Sequence, residues 1–300
     1  MWPWAKVLTY RFGGLAALLA AAACAKPPDV TSADLARIDF ASALKSCCAN
    51  TDKYPLWFIN SLERNSISIV PLSRGIVLRK SYLQDDPAAE QALLGSARPL
   101  DLILISNKSR LSGAVGDGYF GHSAVYTGTE ADLRALGVWD HPAVAKFHER
   151  IRAGGIAIES IDQGVRLSNT HMLMEADSAA LFRTTGVSRS RQKAAIIQLF
   201  TEIGKPFDNN FDLDTSDAIF CTELINDALP ELNMPVRVTY GRRVIWPDEI
   251  ATGALLEENG FRFETYLKGS PVGWREESWQ AMAARILQEW PDVLVAENPS

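Results

Sequence analysis

This sequence of 300 residues has no run of lysine or arginine, no internal repeat, no low-complexity block and no apolar stretch long enough to cross a bilayer. Thirty basic side chains stand against 36 acidic ones, for a net charge of -6 and a pI near 5.4. Phosphate neutralisation needs a basic face, so nucleic acid is not an expected partner. Four cysteines are too few for a disulfide scaffold in a chain this long. The aspartates Asp208, Asp212, Asp214 and Asp217 lack the glycine of a twelve-residue calcium loop and read as a solvated loop with capping residues. His171 and Glu175 have the i, i+4 spacing of two helical metal ligands, but no third ligand word lies nearby. What remains is 47% hydrophobic and 22% charged, an ordinary globular composition with core for one large domain or two small ones.

The N-terminus combines Lys6 and Arg11 with a twelve-residue apolar run over 12–23, followed by Cys24 and a polar segment containing proline. Roughly 20 residues are needed to span a bilayer as a helix, so this is a secretory signal pattern and not a permanent span. The AAAC tail resembles a bacterial lipobox, with Ala21 where leucine is preferred. A lipoprotein anchored through Cys24 is the preferred expectation, with plain cleavage after an A-x-A site as the alternative. Both export the chain, to the periplasm or to the outer membrane, and only the lipid anchor would attach it to a membrane. With Cys24 lipidated and Cys221 free, Cys47 and Cys48 remain. Adjacent cysteines bridge with strain, so burial on a helix face is the default, and a vicinal or intermolecular disulfide the alternative.

Hydrophobic periodicity predicts helices over 32–48 and 56–64, then short strands over 66–72 and 76–83. A brief helix follows over 87–94, and RPLDLILIS, over 98–106, reads as a buried strand. The loop NKSRLSGAVGDGY leads to FGHSAVYTG, a strand with His122 at its start and Ser123 and Val125 on the opposite face from His122, Ala124 and Tyr126. Thr129 with Asp132 signals a capped helix ending at Gly137, and another helix runs over 141–153. GIAIES is a strand with Glu159 on the face of Ala157. Ser168 then caps a short helix, SAALFRTT is a strand, and Ser188 opens a helix whose buried stripe is Ala195, Ile196, Leu199, Phe200 and Ile203. Beyond the Cys221 helix lie VRVTY, a helix over 247–258, the strand FRFETYL and a helix over 276–290. Trp139, Trp246, Trp274 and Trp279 read as packing. The order is that of an α+β chain around a central antiparallel sheet.

Cys221 falls in or just before the first turn of the helix DAIFCTELINDAL, reached through an aspartate-rich loop. Free N–H groups and the positive dipole end of a helix stabilise a thiolate, the nucleophilic form of cysteine. An imidazole can take its proton and return it to a leaving group, and a carboxylate can orient that imidazole. His122, at a strand start, and Glu159, inside a strand, supply these types; Glu175 is a competing carboxylate. Glu223, in the first turn, reads as dipole complementarity.

The words DLILIS, FGHSAVYTG, IAIESIDQGV, GKPFDNNF and FCTELINDAL resemble the permuted papain-fold amidases of the YaeF and YiiX type, relatives of the NlpC cell-wall peptidases. The likeness spans roughly residues 98–265. In the unpermuted enzymes the cysteine comes first, whereas here His122 precedes Glu159 and Glu159 precedes Cys221. The resemblance implies a permuted papain-like, NlpC-like fold with the nucleophile on a helix N-terminus: Cys221 as nucleophile, His122 as base and acid, Glu159 as orienting carboxylate. Two positions depart from the pattern: Leu100-Asp101 replaces Gly-Asp at the first strand, and Ser160 replaces the alanine after the acid.

The expected organisation is a signal segment over 1–24, an N-terminal cap over 25–97, the hydrolase domain over 98–270 and a C-terminal helical piece packing on it over 271–300. The expected activity is hydrolysis of an amide or ester through a thioester acyl-enzyme, with no metal or organic cofactor. Cell-wall peptide is the substrate class implied, with lipid amides or esters open. The alternatives are a lipid acyltransferase or thioesterase on the same fold, and a non-catalytic envelope lipoprotein that binds in its cleft.

Overall fold

The computed structural model describes residues 39–48, 75–115 and 118–290. The signal segment, the start of the helix over 32–48, the helix over 56–64 and the strand over 66–72 lie outside the described residues.

Caps and glycines open and close the helices of the first half. Helices α1 (Phe40–Ser46) and α2 (Pro87–Leu94) are capped by the carboxylates of Asp39 and Asp86. Cys47 leaves the helical region with ψ 147°, and Cys47 and Cys48, both buried, are joined to each other as a vicinal disulfide. Helix-face burial is therefore replaced by the alternative pairing. The strand expected over 76–83 reduces to one isolated bridge, Val77 to Arg110, because the chain turns at 82–85 and Asp177 takes the Tyr82 N–H.

Strand β1 (Leu102–Ser106) is buried at every position, and α3 (Leu111–Val115) forms within the stretch read as loop. After β2 (His122–Tyr126), α4 (Glu130–Leu136) has the expected Thr129–Asp132 capping box and ends at Gly137, whose φ of 78° suits glycine. The helix expected over 141–153 is two, α5 (Pro142–Ala145) and α6 (His148–Arg152), interrupted at Phe147, whose ring packs at a tilt against Phe200. Strands β3 (Gly155–Ile161) and β4 (Gly164–Asn169) form a hairpin. Asn169, not Ser168, caps α7 (Thr170–Leu173), since Ser168 lies within β4.

Next come β5 (Ser178–Thr184), α8 (Arg189–Glu202) and α9 (Cys221–Ala228). VRVTY contributes to a small hairpin of β6 (Arg237–Thr239) and β7 (Arg242–Val244). The chain closes with α10 (Pro247–Leu255), β8 (Phe261–Ser270), the unexpected short strand β9 (Gly273–Glu276) and α11 (Trp279–Glu289).

The main sheet is antiparallel in the order β4-β3-β2-β1-β5-β8-β9. One face carries Leu102, Leu104, Val125, Ile158 and Phe182 against Leu199, Leu224, Ile225 and Ile250 of α8, α9 and α10. The other carries Ile103, Ile105, Ala124, Ala157 and Leu267, covered by Ala89 and Leu93 of α2. A strand covered on both faces needs apolar residues at successive positions, which is why β1 reads as a continuous run. Among the described residues, no helix is long and apolar enough to cross a membrane.

Candidate active site

The loop that delivers Cys221 is held on several sides. Gly164, with φ 94°, lets the turn between β3 and β4 pass so close to Lys205 that an added Cβ would lie 2.4 Å from its carbonyl oxygen. Val165 N–H donates to Lys205 O, which pins GKPF against β4. Asp208 is buried and accepts from the N–H groups of Asn210 and Asp212, so its carboxylate closes the next turn. Asp214 pairs with Arg243. This part of the aspartate run is therefore turn chemistry. Ser160 Oγ donates to Ile219 O at 2.6 Å and Thr222 Oγ1 to Ile245 O at 2.8 Å, tying down the backbone on both sides of Cys221.

Helix α9 opens at Cys221, so the N–H groups of its first turn have no carbonyl within the helix to bond. Glu223 reaches back to accept from Phe220 N–H at 3.1 Å. Burial pushes the Glu223 carboxyl up to about 8. Burial thus favours its neutral form, and the hydrogen bond from Phe220 N–H adds to the expected first-turn role.

Cys221 is buried and is the free cysteine among the described residues. His122, at the start of β2, acts electrostatically on the Cys221 thiol, each favouring the charged form of the other. Its Nε2 lies 2.6 Å from Glu159 Oε2, which leaves Nδ1 for the sulfur. Glu159 is paired with Ala124 across the β2–β3 ladder, so both chemical groups project from the same face of adjacent strands. The second oxygen of Glu159 accepts from Arg166 Nε and Nη2 at 3.0 and 2.8 Å and from Ser168 Oγ at 2.5 Å.

The electrostatics follow from this packing. Burial works against ionisation of Glu159, but His122, Arg166 and Ser168 outweigh it and hold the carboxyl down at about 2. Burial likewise opposes the imidazolium, yet Cys221 and Glu159 raise His122 above its ordinary value. Burial opposes the thiolate too, and His122 together with the Ser123 hydroxyl and N–H lowers Cys221. The thiol proton is thus drawn towards the imidazole, as in a thiolate–imidazolium pair.

The competing residues sit elsewhere. Glu175 pairs with Arg110 and His171 with Asp85, so their i, i+4 spacing serves two separate ion pairs. Asp101 lies at the opposite end of β1 from the end facing His122, buried and paired with Arg183 Nε at 2.9 Å. Trp139 stacks on His148 with centroids 3.7 Å apart, and Trp246 packs edge-on to Trp290. Arg166, Ser168 and Ser160 are site neighbours that sequence reading missed. The period-two alternation of GVRLSN would have placed Arg166 and Ser168 on one strand face.

A buried thiol at a helix N-terminus, an imidazole on a neighbouring strand and a carboxylate behind it, on an antiparallel sheet covered by helices, define the papain-like class of cysteine hydrolase. The order in the chain, histidine before acid before cysteine, is that of its permuted branch. Residues 97–260 match the family model described as permuted papain-like amidase enzyme, YaeF/YiiX, C92 family, and the chain belongs to that family. No curated protein and no solved structure is matched by the chain.

Proposed function

We propose that the protein is an exported cysteine hydrolase that cleaves an amide or ester bond through a thioester acyl-enzyme. The observation that carries this reading is the His122 imidazole bonded to the buried Glu159 carboxylate, with the buried Cys221 thiol at the start of α9 drawn towards its charged form by that imidazole. In the proposed reaction the thiol proton passes to His122 and the sulfur attacks the substrate carbonyl carbon. The Cys221 N–H, at the start of α9, faces the developing oxyanion. Imidazolium then protonates the leaving amine or alcohol. Water, deprotonated by the same imidazole, attacks the thioester and releases the acid and the free thiol. Glu159 keeps the ring oriented and charged when it needs to be. The steps require no metal or organic cofactor.

Cell-wall peptide is the proposed substrate class, with a lipid amide or ester as the alternative. Export and anchoring through Cys24 rest on Lys6, Arg11 and the apolar run between them and that cysteine.

An electrophilic thiol probe tests the chemistry. Iodoacetamide should alkylate Cys221 at pH 6 to 7, and His122→Ala should slow that labelling by at least about tenfold, the effect of losing the partner that favours the thiolate. Equal rates in the two proteins, or no labelling of either, refutes the hydrolase reading.

A further inference from the structure

The two oxygens of the buried Glu159 carboxylate have different partners. Oε2 meets the His122 ring at 2.6 Å. Oε1 accepts from three donors, all on β4: Arg166 Nε at 3.0 Å, Arg166 Nη2 at 2.8 Å and Ser168 Oγ at 2.5 Å. Strand register produces this division. Arg166 stands directly opposite Glu159 in the β3–β4 ladder, and Ser168, two residues on, projects from the same face of β4. On the other side Ala124 stands opposite Glu159, and His122 lies two residues before Ala124 on the same face of β2.

A carboxylate taken out of water is costly unless it is paired and hydrogen-bonded. The elements packed on β3 and β4 offer no second cation. On α6, His148 bonds Trp139 O, Arg150 bonds Leu167 O and Arg152 pairs with Glu130. His171 of α7 pairs with Asp85, and Glu223 of α9 accepts from Phe220 N–H. Among the described residues, His122 and Arg166 are therefore the cationic groups bonded to Glu159. The two partners differ in access to water. The Arg166 side chain, on the edge strand of the sheet, is 29% exposed, whereas that of Glu159 is 4% exposed, so solvent can stand in for the carboxylate at Arg166 but not for the guanidinium at Glu159.

We infer that Arg166 and Ser168 are positioning residues of the catalytic site, which hold Glu159 by Oε1 and keep Oε2 aimed at His122 Nε2. This rests on the reading of Cys221 as nucleophile and His122 as its base. Turning the carboxylate about its last bond would break three charge-assisted hydrogen bonds, so the ring keeps a single, fixed partner. The two residues contribute differently. Arg166 supplies charge: without it a proton received by His122 from the thiol could move on from Nε2 to Glu159, and the thiolate would lose its adjacent cation. Ser168 supplies direction, since its fully buried hydroxyl has no water to turn to. Lysine at position 166 would keep the charge and lose the paired grip of Nε and Nη2 on one oxygen.

The test is iodoacetamide labelling at pH 6 and pH 10, with Cys221 followed by peptide mass in the full chain. Arg166→Ala should slow labelling at pH 6 by about tenfold, one pKa unit of the thiol, and stay within about twofold of wild type at pH 10, where bulk base ionises the thiol in both proteins. Because position 166 is open to solvent, guanidinium chloride below denaturing concentration should restore the Arg166→Ala rate at pH 6, and sodium chloride at the same concentration should not. Arg166→Lys should recover part of the rate, and Ser168→Ala, which leaves the ion pair, should slow labelling at pH 6 by roughly threefold. Residues that serve only the fold would move both pH values together and gain nothing from guanidinium. Equal labelling of wild type and Arg166→Ala at pH 6, or an equal loss at both pH values that guanidinium does not reverse, overturns the inference. If Arg166→Ala does not fold, Ser168→Ala decides, and labelling at pH 6 equal to wild type overturns it. His122→Ala separates the failures: if it slows labelling at pH 6 while the other variants do not, only the positioning role falls; if it too labels as wild type does, the nucleophile reading falls with it.

Discussion

Glu159→Gln removes one charge from the site and keeps the shape of the side chain. In the native protein the Glu159 carboxyl is held at about 2 against an ordinary 4.5, a preference for the ionised form of roughly 3 kcal/mol in the folded state. That contribution to stability is present above the unfolded value and lost as pH falls through about 2, so at neutral pH it is complete. The glutamine keeps one acceptor oxygen for three groups that now share it, Arg166, Ser168 and His122. Arg166 is partly open to solvent and recovers water, so its loss is screened. His122 has only the thiol on its other side and loses a charge-assisted bond worth about 1.5 to 3 kcal/mol. The imidazolium loses that support, and the thiolate–imidazolium pair falls by about 10- to 100-fold. Stopped-flow alkylation of Cys221 at pH 6, with thermal unfolding of the same samples, reads both effects. Labelling should slow by that factor and stability fall by about 2 to 3 kcal/mol. Unchanged labelling in Glu159→Gln, together with a loss in Glu175→Gln, would refute the assignment of the carboxylate.

Asp248 accepts from Tyr119 N–H, Phe120 N–H and Trp290 Nε1–H, all buried, and so fixes the loop that ends at His122. Asp248→Ala strands three donors at about 1 kcal/mol or more each, and should lower the unfolding free energy by at least about 3 kcal/mol in denaturant titration. Burial raises the Asp248 carboxyl to about 6, so its titration favours the fold below the unfolded value near 3.8, and this term is lost as pH rises through about 6. Asp248→Asn does not ionise, and the difference in stability between it and wild type should vary with pH across that window and not above it. Gly164→Ala forces a Cβ onto Lys205 O and an alanine into φ 94°, so it should cost about 1 kcal/mol or more and slow Cys221 labelling by displacing the GKPF segment; a neutral effect on both would refute that account of the turn.

Much of the scaffold was legible because its signals are local. The Thr129–Asp132 box with Gly137, the Ser188 cap and the apolar run of β1 each depend on neighbours within a few residues, and all three appear where periodicity puts them. The failures share a cause in distant contacts. Phe147 breaks a regular amphipathic pattern to reach Phe200, and Ser168 is drawn into a strand facing Glu159 where its local sequence suggested a cap. The short strand β9 pairs only with β8 across a tight turn at Val272 and has little apolar pattern of its own, since one of its faces is open to solvent.

The sequence alone determined the α+β order of elements, the placement of a cysteine at a helix start, and the order of histidine, acid and cysteine that marks the permuted branch, because those are properties of the chain read in line. The family resemblance and the strand position already favoured Glu159 over Glu175, but only the pairing of β3 with β2 brings its carboxylate within 2.6 Å of His122. Tertiary structure also decided that burial favours the neutral form of the Glu223 cap and that Cys47 and Cys48 join each other. Each of these depends on burial and on groups far apart in the chain, which set proton affinities and hydrogen-bond partners that no stretch of sequence carries by itself.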